Sequence, residues 1–440
     1  MIKISGKSIN IKFPFSNILQ AVKQKLIVIG GGAAGFFCAV NAAAQNSEME
    51  VTLIEKSNKL LSKVKVSGGG RCNVTHSCFS ISEMIKKYPR GENFLKQAFH
   101  YFFTTDTINW FEKRNIKLKT ETDGRMFPAS NTSETIINCL LQEANKYHVE
   151  ILMNREIIKI EKRSTEENTN RFRVVCKGGI FLEADFVCIA CGGFHKPDQY
   201  KWLAELGHTF ESPVPSLFTF NVPNNPVSEL MGISVGNVQV KINGTKFSQN
   251  GPILITHWGF SGPAVLKLSA FAAKELFNKN YDFSISINWL NDYHENSLLE
   301  KLKLMRHELA AKKIINKNPF SLPQRLWEYH LQQCGINSEI RWADLPSKQQ
   351  NQLAKQLCTQ QFNVKGKTTF KEEFVTAGGI KLNEIDANTM QSKIVPNLFF
   401  AGEILDVDGI TGGFNFQHAW TSGWIAAKEI TSNKFIDKAP

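Results

Sequence analysis

The feature that most limits what this chain can fold into is a short apolar run that ends in glycine. Lys25-Leu26-Ile27-Val28-Ile29 is rich in branched residues and leads into Gly30-Gly31-Gly32-Ala33-Ala34-Gly35. Such a run reads as a buried parallel strand. Phe36 to Gln45 then reads as a helix, and Val51-Thr52-Leu53-Ile54-Glu55 as a second strand ending in an acid. Strand, glycine turn, helix and strand within about 30 residues make one βαβ unit. The spacing Gly30-x-Gly32-x-x-Gly35 has a physical reason at each glycine. The first allows a tight turn out of the strand, the second close backbone approach to a pyrophosphate, and the third close packing of helix on strand. The helix start, with Ala33 and Ala34, offers free N–H groups and a partial positive charge to phosphate. Glu55, followed by Lys56, lies at the end of the second strand, where a carboxylate can accept hydrogen bonds from ribose hydroxyls. The chain is thus expected to bind a dinucleotide.

The carboxyl-terminal segment chooses which dinucleotide. Leu398-Phe399-Phe400-Ala401 reads as a strand that ends in Gly402-Glu403. In two-part FAD folds an acid in this position receives hydrogen bonds from the ribityl chain. Gly412-Gly413-Phe414-Asn415-Phe416 then opens a helix running to about Ile430. Backbone N–H groups at such a start would lie near a flavin and favour negative charge on its reduced ring. FAD is the expected cofactor, and Gly402, Glu403, Gly412, Gly413, Asn415 and Phe416 are expected to line its site.

Between these ends the texture of the sequence changes twice. Residues 132–148 read as an amphipathic helix, 150–160 and 171–176 as strands, and Phe186 to Ala190 as an apolar strand ending at Cys191-Gly192-Gly193. Gly192 is therefore a further candidate for cofactor contact. Residues 206–290 carry short alternating strands such as Val235 to Ile242 and Phe283 to Ile287, with frequent Pro and Gly. Residues 291–369 lose most glycines and gain Leu, Lys and Gln at helical spacing. The expected organisation is α/β. A basic extension covers 1–24. A discontinuous Rossmann-like FAD-binding domain covers 25–205 and 370–440. A barrel-like β module at 206–290 and a helical subdomain at 291–369 are inserted into it.

Charge is distributed unevenly. The formal net charge is +12. Residues 301–371 hold thirteen Lys or Arg against four acids, Glu308, Glu328, Glu339 and Asp344, and residues 1–25 hold five lysines and no acid. The remainder is close to neutral. A localised excess of this size suits an anionic partner such as RNA or a phosphorylated substrate, as well as a solvated helical face. Nine cysteines are scattered along 440 residues, which is no disulfide framework and fits a reducing cytosol. No apolar run approaches the ~18 residues of a membrane span. No Cys/His cluster has zinc spacing, so no metal is expected. Cys188 and Cys191 form a CxxC string on a strand, where a separation of three puts the side chains on opposite faces.

Ser67-Gly68-Gly69-Gly70-Arg71-Cys72-Asn73-Val74-Thr75 resembles the signature of the HI0933-like or BaiN-like family of NAD(P)/FAD-dependent oxidoreductases. Asp123-Gly124-Arg125-Met126-Phe127-Pro128, Thr256-His257-Trp258-Gly259-Phe260-Ser261-Gly262-Pro263, Thr376-Ala377-Gly378-Gly379 and Thr411 to Gln417 match further family motifs in order. The resemblance runs from about residue 25 to about 430. It implies FAD and a cofactor fold interrupted by β-barrel and helical modules. It also implies one of two chemistries: reduction of an activated carbon–carbon double bond, as in an enone or a uridine ring of RNA, or amine oxidation. Two positions depart from the usual pattern. His76 stands where the family has Asn, and the strand end reads Ala190-Cys191-Gly192-Gly193 where Ala-Thr-Gly-Gly is common.

The three glycines of this stretch bring backbone close to a flat ligand, so Gly70, Arg71, Cys72 and Asn73 are expected at the cofactor. Arg71 could offset charge on reduced flavin or hold an anion, or bond loop carbonyls. Cys72 could be a reactive thiol or a small packing residue. His257, in a loop beside Gly259, could relay a proton, and Arg125 and His418 are lesser candidates. The expected activity is hydride transfer from NAD(P)H through FAD to an activated double bond. No second glycine fingerprint is present, so NAD(P)H would visit transiently. An amine oxidase releasing hydrogen peroxide and an RNA-binding flavoprotein using the 301–371 segment are the alternatives.

Overall fold

The computed structural model describes residues 23–163, 172–368 and 375–432. Most of the basic extension, residues 369–374 with Lys371, and the last eight residues lie outside the described residues. Five strands form one parallel sheet: β1 (Lys25–Ile29), β2 (Glu50–Ile54), β3 (Glu150–Leu152), β4 (Phe186–Ile189) and β5 (Leu398–Phe400). Their order is β5-β4-β1-β2-β3, every neighbour parallel. All four residues of β4 and Leu26 to Ile29 of β1 are buried, as strands covered on both faces must be. Helix α1 (Ala33–Gln45) follows β1, and the long α2 (Phe414–Ser432) closes the described chain. These two helices lie against each other closely because of one residue: a Cβ at Gly423 of α2 would sit 2.6 Å from the carbonyl oxygen of Ala34. The sheet and its helices share one apolar core with the segment 84–111.

The polypeptide leaves this sheet after β4 and returns with β5. Between them, Phe210–Ser216 pairs antiparallel with Val375–Ile380 and forms the two-stranded neck of the insertion. Beyond the neck lies a seven-stranded antiparallel sheet, ordered Gln360–Lys365, Asp282–Asn288, Ser234–Ile242, Ser248–Thr256, Gly259–Ser261, Thr219–Asn221, Lys367–Thr368. Its first and last members are consecutive in sequence, joined through Gly366. The sheet therefore curls back on itself and leaves few open edges. Helices Glu295–Glu308, Gln324–Gln333 and Ser347–Thr359 pack onto it. They share its core, with Trp289, Trp327 and Trp342 fully buried. Each such side chain contributes about 2 kcal/mol or more of transfer free energy. The α/β class, the interrupted dinucleotide-binding domain and the antiparallel insertion agree with the expectation from sequence.

Among the described residues, no helix is long and apolar enough to cross a membrane.

Candidate functional site

The first glycine turn has the geometry its spacing requires. The amide of Gly30 donates to the carbonyl of Ile54 at 2.7 Å, tying the turn to β2. A Cβ at Gly35 would lie 1.9 Å from the Gly30 carbonyl oxygen, so no other residue fits there. Gly32 differs: nothing lies within 4 Å of where its Cβ would be. The same is true of Gly192 at the end of β4, and of Gly69 and Gly70 in the second glycine loop. At each of these four positions the protein leaves open space, which is what close approach of a flat, phosphate-bearing group needs. Glu55 accepts hydrogen bonds from the amide of Gly31 at 2.9 Å and from the amide and hydroxyl of Ser57 at 2.9 and 2.8 Å. Its carboxylate is thereby fixed in the lining of a 330 Å³ cleft, together with Gly30, Lys56, Arg155, Cys191 and Trp202. The cleft, Glu55 and the amino terminus of α1 with Ala33 and Ala34 fit the adenosine and pyrophosphate parts of a dinucleotide.

The other end of the site is assembled from distant segments. Ser62–Gly70 begins as a helix and is broken at Ser67–Gly69 by left-handed glycines. The turn closes with the Cys72 amide on the Ser67 carbonyl at 3.0 Å. The strand that follows is locked to α2: Trp420 Nε1 donates to the Val74 carbonyl at 2.9 Å, and Thr75 Oγ1 to Gln417 Oε1 at 2.6 Å. Gly413, at the start of α2, faces Asn73, whose Oδ1 would be 2.8 Å from a Cβ there. Glu403 lies at the end of β5. It accepts from the Thr376 amide at 2.9 Å and pairs with Lys63 at 2.5 Å. Gly402 donates its amide to Ser422 Oγ at 2.9 Å. Asn415 spends its side chain on the amide and carbonyl of Gly409, at 2.7 and 3.0 Å, and so shapes the loop before α2. Phe416 stacks on Trp420, with centroids 5.8 Å apart. The glycine loops, Asn73 and Glu403 fit a flavin at this end.

The side chains expected to carry chemistry are placed very differently from one another. Arg71 donates to the Gly68 carbonyl at 3.2 Å, pairs with Glu121 at 2.5 Å and lies 4.1 Å over the Phe127 ring. Arg125 pairs with the same Glu121 and with Asp123, at 3.0 and 2.7 Å. The two arginines are held together by one acid. Cys72 is fully buried, with a left-handed φ of 61°, and burial pushes its thiol up to about 12. It stays protonated at neutral pH, so it can fill space but cannot act as a thiolate. His257 is exposed at the turn between Ser248–Thr256 and Gly259–Ser261, its ring edge-on to Trp258. His418 is buried in α2 with Nε2 3.1 Å from the Gly402 carbonyl, and burial pulls it down to about 4. It is a neutral, structural donor. Cys188 lies beside Cys38 of α1 rather than Cys191, and every described cysteine is free.

Two residues near the flavin end were not singled out as site residues by sequence reasoning. His76 sets Nδ1 3.1 Å from the Gly412 carbonyl and stacks on Phe414 at 4.7 Å. Lys267 is half-buried on Pro263–Phe271 of the insertion, near Lys87 and Asp123. The only signal for His76 was that it replaces a family asparagine; Lys267 gave none. Among the described residues, no group of three or more His, Cys, Asp or Glu could hold a metal ion.

Comparison with known proteins agrees with this geometry. The model of the HI0933-like protein Rossmann domain matches residues 24–429. The ribosomal RNA dihydrouridine synthase of Escherichia coli (strain K12) is 30% identical over 417 residues, covering 93% of this chain and 98% of that protein. The 3-dehydro-bile acid delta(4,6)-reductase of Clostridium scindens is 25% identical over 424 residues, covering 92% and 98%. Among solved structures, a 3-ketosteroid-delta4-(5alpha)-dehydrogenase from Rhodococcus jostii RHA1 is similar with a TM-score of 0.47 and 12% identity, covering 94% of this chain and 99% of that one. The open glycine cradle, the two-part fold and a family match spanning nearly the whole chain lead to one conclusion: the chain belongs to the HI0933-like family of FAD-dependent oxidoreductases.

Proposed function

We propose that this protein is an NAD(P)H-driven reductase that saturates an activated carbon–carbon double bond, and that its acceptor is a uracil ring in RNA. The observation that carries the reading is end-to-end similarity to two proteins whose names describe adding hydrogen across a ring double bond, a ribosomal RNA dihydrouridine synthase and a bile acid delta(4,6)-reductase. Bound FAD would supply hydride transfer, taking a hydride from the nicotinamide and passing it to the acceptor.

The chain's own residues do the rest. Gly32 and the start of α1 bind the pyrophosphate through backbone N–H groups, while Gly30 shapes the turn that presents them. Glu55 and Glu403 hold the two sugar-like portions, and Lys63 keeps Glu403 in position. Gly412 and Gly413 present the positive end of the 19-residue helix α2 to the redox ring. Asn73, buried against Gly413, orients the same edge.

The choice of RNA over a free enone is supported by the insertion. Lys312, Lys317, Lys348, Lys355 and Lys365 are exposed there, and so is Arg341. Phosphate contacts of this kind give affinity that falls steeply with salt.

The test is anaerobic. Mixing the FAD-loaded protein with NADH or NADPH should bleach the oxidised flavin, and an unmodified ribosomal RNA fragment should restore it while gaining dihydrouridine. Failure to bleach with both nucleotides would overturn the reductase reading. Restoration by a small enone but not by RNA would move the acceptor to the small-molecule class. Hydrogen peroxide released on amine turnover would favour an oxidase.

A further inference from the structure

His76 sits in a slot that fixes both its orientation and its tautomer. It lies on the two-residue strand Thr75–His76, opposite Arg125. One ring face stacks on Phe414, with centroids 4.7 Å apart and 28° between planes. Nδ1 lies 3.1 Å from the Gly412 carbonyl oxygen, and a Cβ at Gly124 would meet Nε2 at 2.5 Å. A carbonyl can only accept, so Nδ1 carries a proton in every charge state. The neutral ring presents a lone pair at Nε2, and any proton gained from water is loaded there.

Lys267 arrives from the other module. Its helix Pro263–Phe271 is docked one turn later, where the Ala270 carbonyl accepts from Arg90 at 2.9 Å. Arg90 also pairs with Asp408, just before the Gly412–Gly413 turn. The Lys87 carbonyl accepts from the Ile410 amide at 2.9 Å, so the chain around Lys87 borders the same turn. Lys267 is half-buried, yet among the described residues it has no ion pair within 4 Å. A half-buried ammonium without a carboxylate partner costs free energy that an anionic ligand would return. Four charged groups face this corner: Asp123 and Arg125 from the strands beside His76, Lys87 from the segment before Arg90, and Lys267 from the insertion. Burial pulls both His76 and Lys267 below their usual ranges, and Asp123 opposes it in each.

We infer that His76 and Lys267 form the proton-delivering and oxygen-holding pair of the site, His76 giving a proton from Nε2 and Lys267 facing the oxygen on which negative charge gathers. This rests on the double-bond reductase reading. When a hydride from the reduced cofactor bonds to the β-carbon of an enone or uracil, the π pair of the double bond shifts to the α-carbon and carbonyl oxygen. Lys267 stabilises that oxyanion. The Nε2–H bond of His76 then breaks, its proton forms the new bond at the α-carbon, the carbonyl is restored, and water reprotonates the ring. Two hydrogens are added in all, one as hydride from NAD(P)H and one as a proton from solvent.

The experiment uses the FAD-loaded full chain and 4-chlorophenol, whose phenolate mimics the oxyanion without being reduced. Binding is read from the long-wavelength charge-transfer absorbance with flavin, across pH 5 to 10. Wild type should bind the phenolate; as pH falls the phenol's own protonation weakens binding, and that loss should level off where His76 takes up its second proton in the complex. Lys267→Met and Lys267→Gln should each weaken binding about tenfold or more, with Lys267→Arg retaining most of it. His76→Asn should keep binding above pH 7 and lose that levelling, its affinity continuing to fall through the acid limb. Unchanged phenolate affinity in both neutral Lys267 variants, or an unchanged acid limb in His76→Asn, overturns the pair. The titration needs no turnover, so a protein that reduces neither RNA nor enone would refute the reductase reading while the phenolate data still decide this one.

Discussion

The cofactor domain and the insertion use their residues in opposite ways. In the proposed site the cofactor domain works mostly through backbone N–H groups, around Gly32, Gly192 and the start of α2, and the sequence contributes by leaving side chains out. In the insertion the candidate working atoms are side chains: Lys267 on the face toward the cofactor domain, and a row of exposed lysines on the helices. Backbone chemistry needs strict spacing, so it tolerates almost no substitution. Side-chain chemistry needs only a surface and a charge, so it can be rewritten without disturbing the fold. On the proposed reading the cofactor half can therefore stay fixed while side chains of the inserted half are changed to suit the acceptor.

The sharpest way to break that contrast lies within the first glycine turn. Gly35→Ala places a Cβ 1.9 Å from the Gly30 carbonyl, so the turn must open. Overpacking of this kind costs about 3 kcal/mol, and flavin content should fall to near zero. Gly32→Ala meets nothing within 4 Å in the protein itself. It should leave the melting temperature of the flavin-free chain unchanged while lowering FAD affinity at least tenfold. Flavin absorbance per protein and thermal melts of the stripped chain separate the two. Equal loss of stability in both would show that Gly32 is a packing glycine and that the open cradle is not what holds the cofactor.

The joint between the modules comes next. Arg90 makes a two-point pair with fully buried Asp408, which Ser216 Oγ also contacts at 2.9 Å, and it reaches across to Ala270 of the insertion. Arg90→Ala leaves a buried carboxylate without its cation, a change that costs about 3 to 5 kcal/mol. Adding Asp408→Asn to that variant should recover a large part of the loss. Denaturant unfolding followed by tryptophan fluorescence, to which both halves contribute four tryptophans each, and by flavin release, which reports on the cofactor half alone, should show the two transitions drawing apart in Arg90→Ala.

How much of this was legible from sequence depends on distance along the chain. The βαβ unit could be read because strand, turn, helix and acid lie within about 30 residues and obey local rules. The FAD-specific end could be read because Glu403 and Gly412 sit in one short stretch. The closure of the insertion could not, since Thr219–Asn221 pairs with Lys367–Thr368 across a separation of 147 residues that holds a whole sheet and its helices. Lys63 reaches Glu403 across 340 residues, and Lys267 reaches the His76 corner through an intermodule contact that no periodicity announces. Helical spacing located the basic segment, but the strand Gln360–Lys365 within it belongs to the antiparallel sheet, since its alternating burial pairs it with Asp282–Asn288.

Buried histidines give the smallest expected difference between the halves. His330 lies fully buried in Gln324–Gln333 against Trp289, and neither ring nitrogen has a hydrogen-bond partner among the described residues. Burial pulls it down to about 3, whereas His418 in the cofactor domain reaches about 4 and has the Gly402 carbonyl to donate to. A histidine whose folded value lies below its unfolded value, ordinarily about 6.5, favours the native state only while neutral. That stability is complete above pH 6.5 and is lost as pH falls toward the folded value. Each unit below 6.5 removes about 1.4 kcal/mol, so either residue alone should withdraw about 2 to 3 kcal/mol by pH 4.5. His330→Leu has no proton to take up and gives up no hydrogen bond. It should match wild type within about 1 kcal/mol at pH 8 and exceed it at pH 4.5, with the gain read from denaturant unfolding. His418→Leu gives up its bond to Gly402, so it should lose stability at pH 8 before any gain appears at low pH. The same pH profile for both variants would mean that the two halves unfold as one unit, so that acid sensitivity cannot be assigned to either.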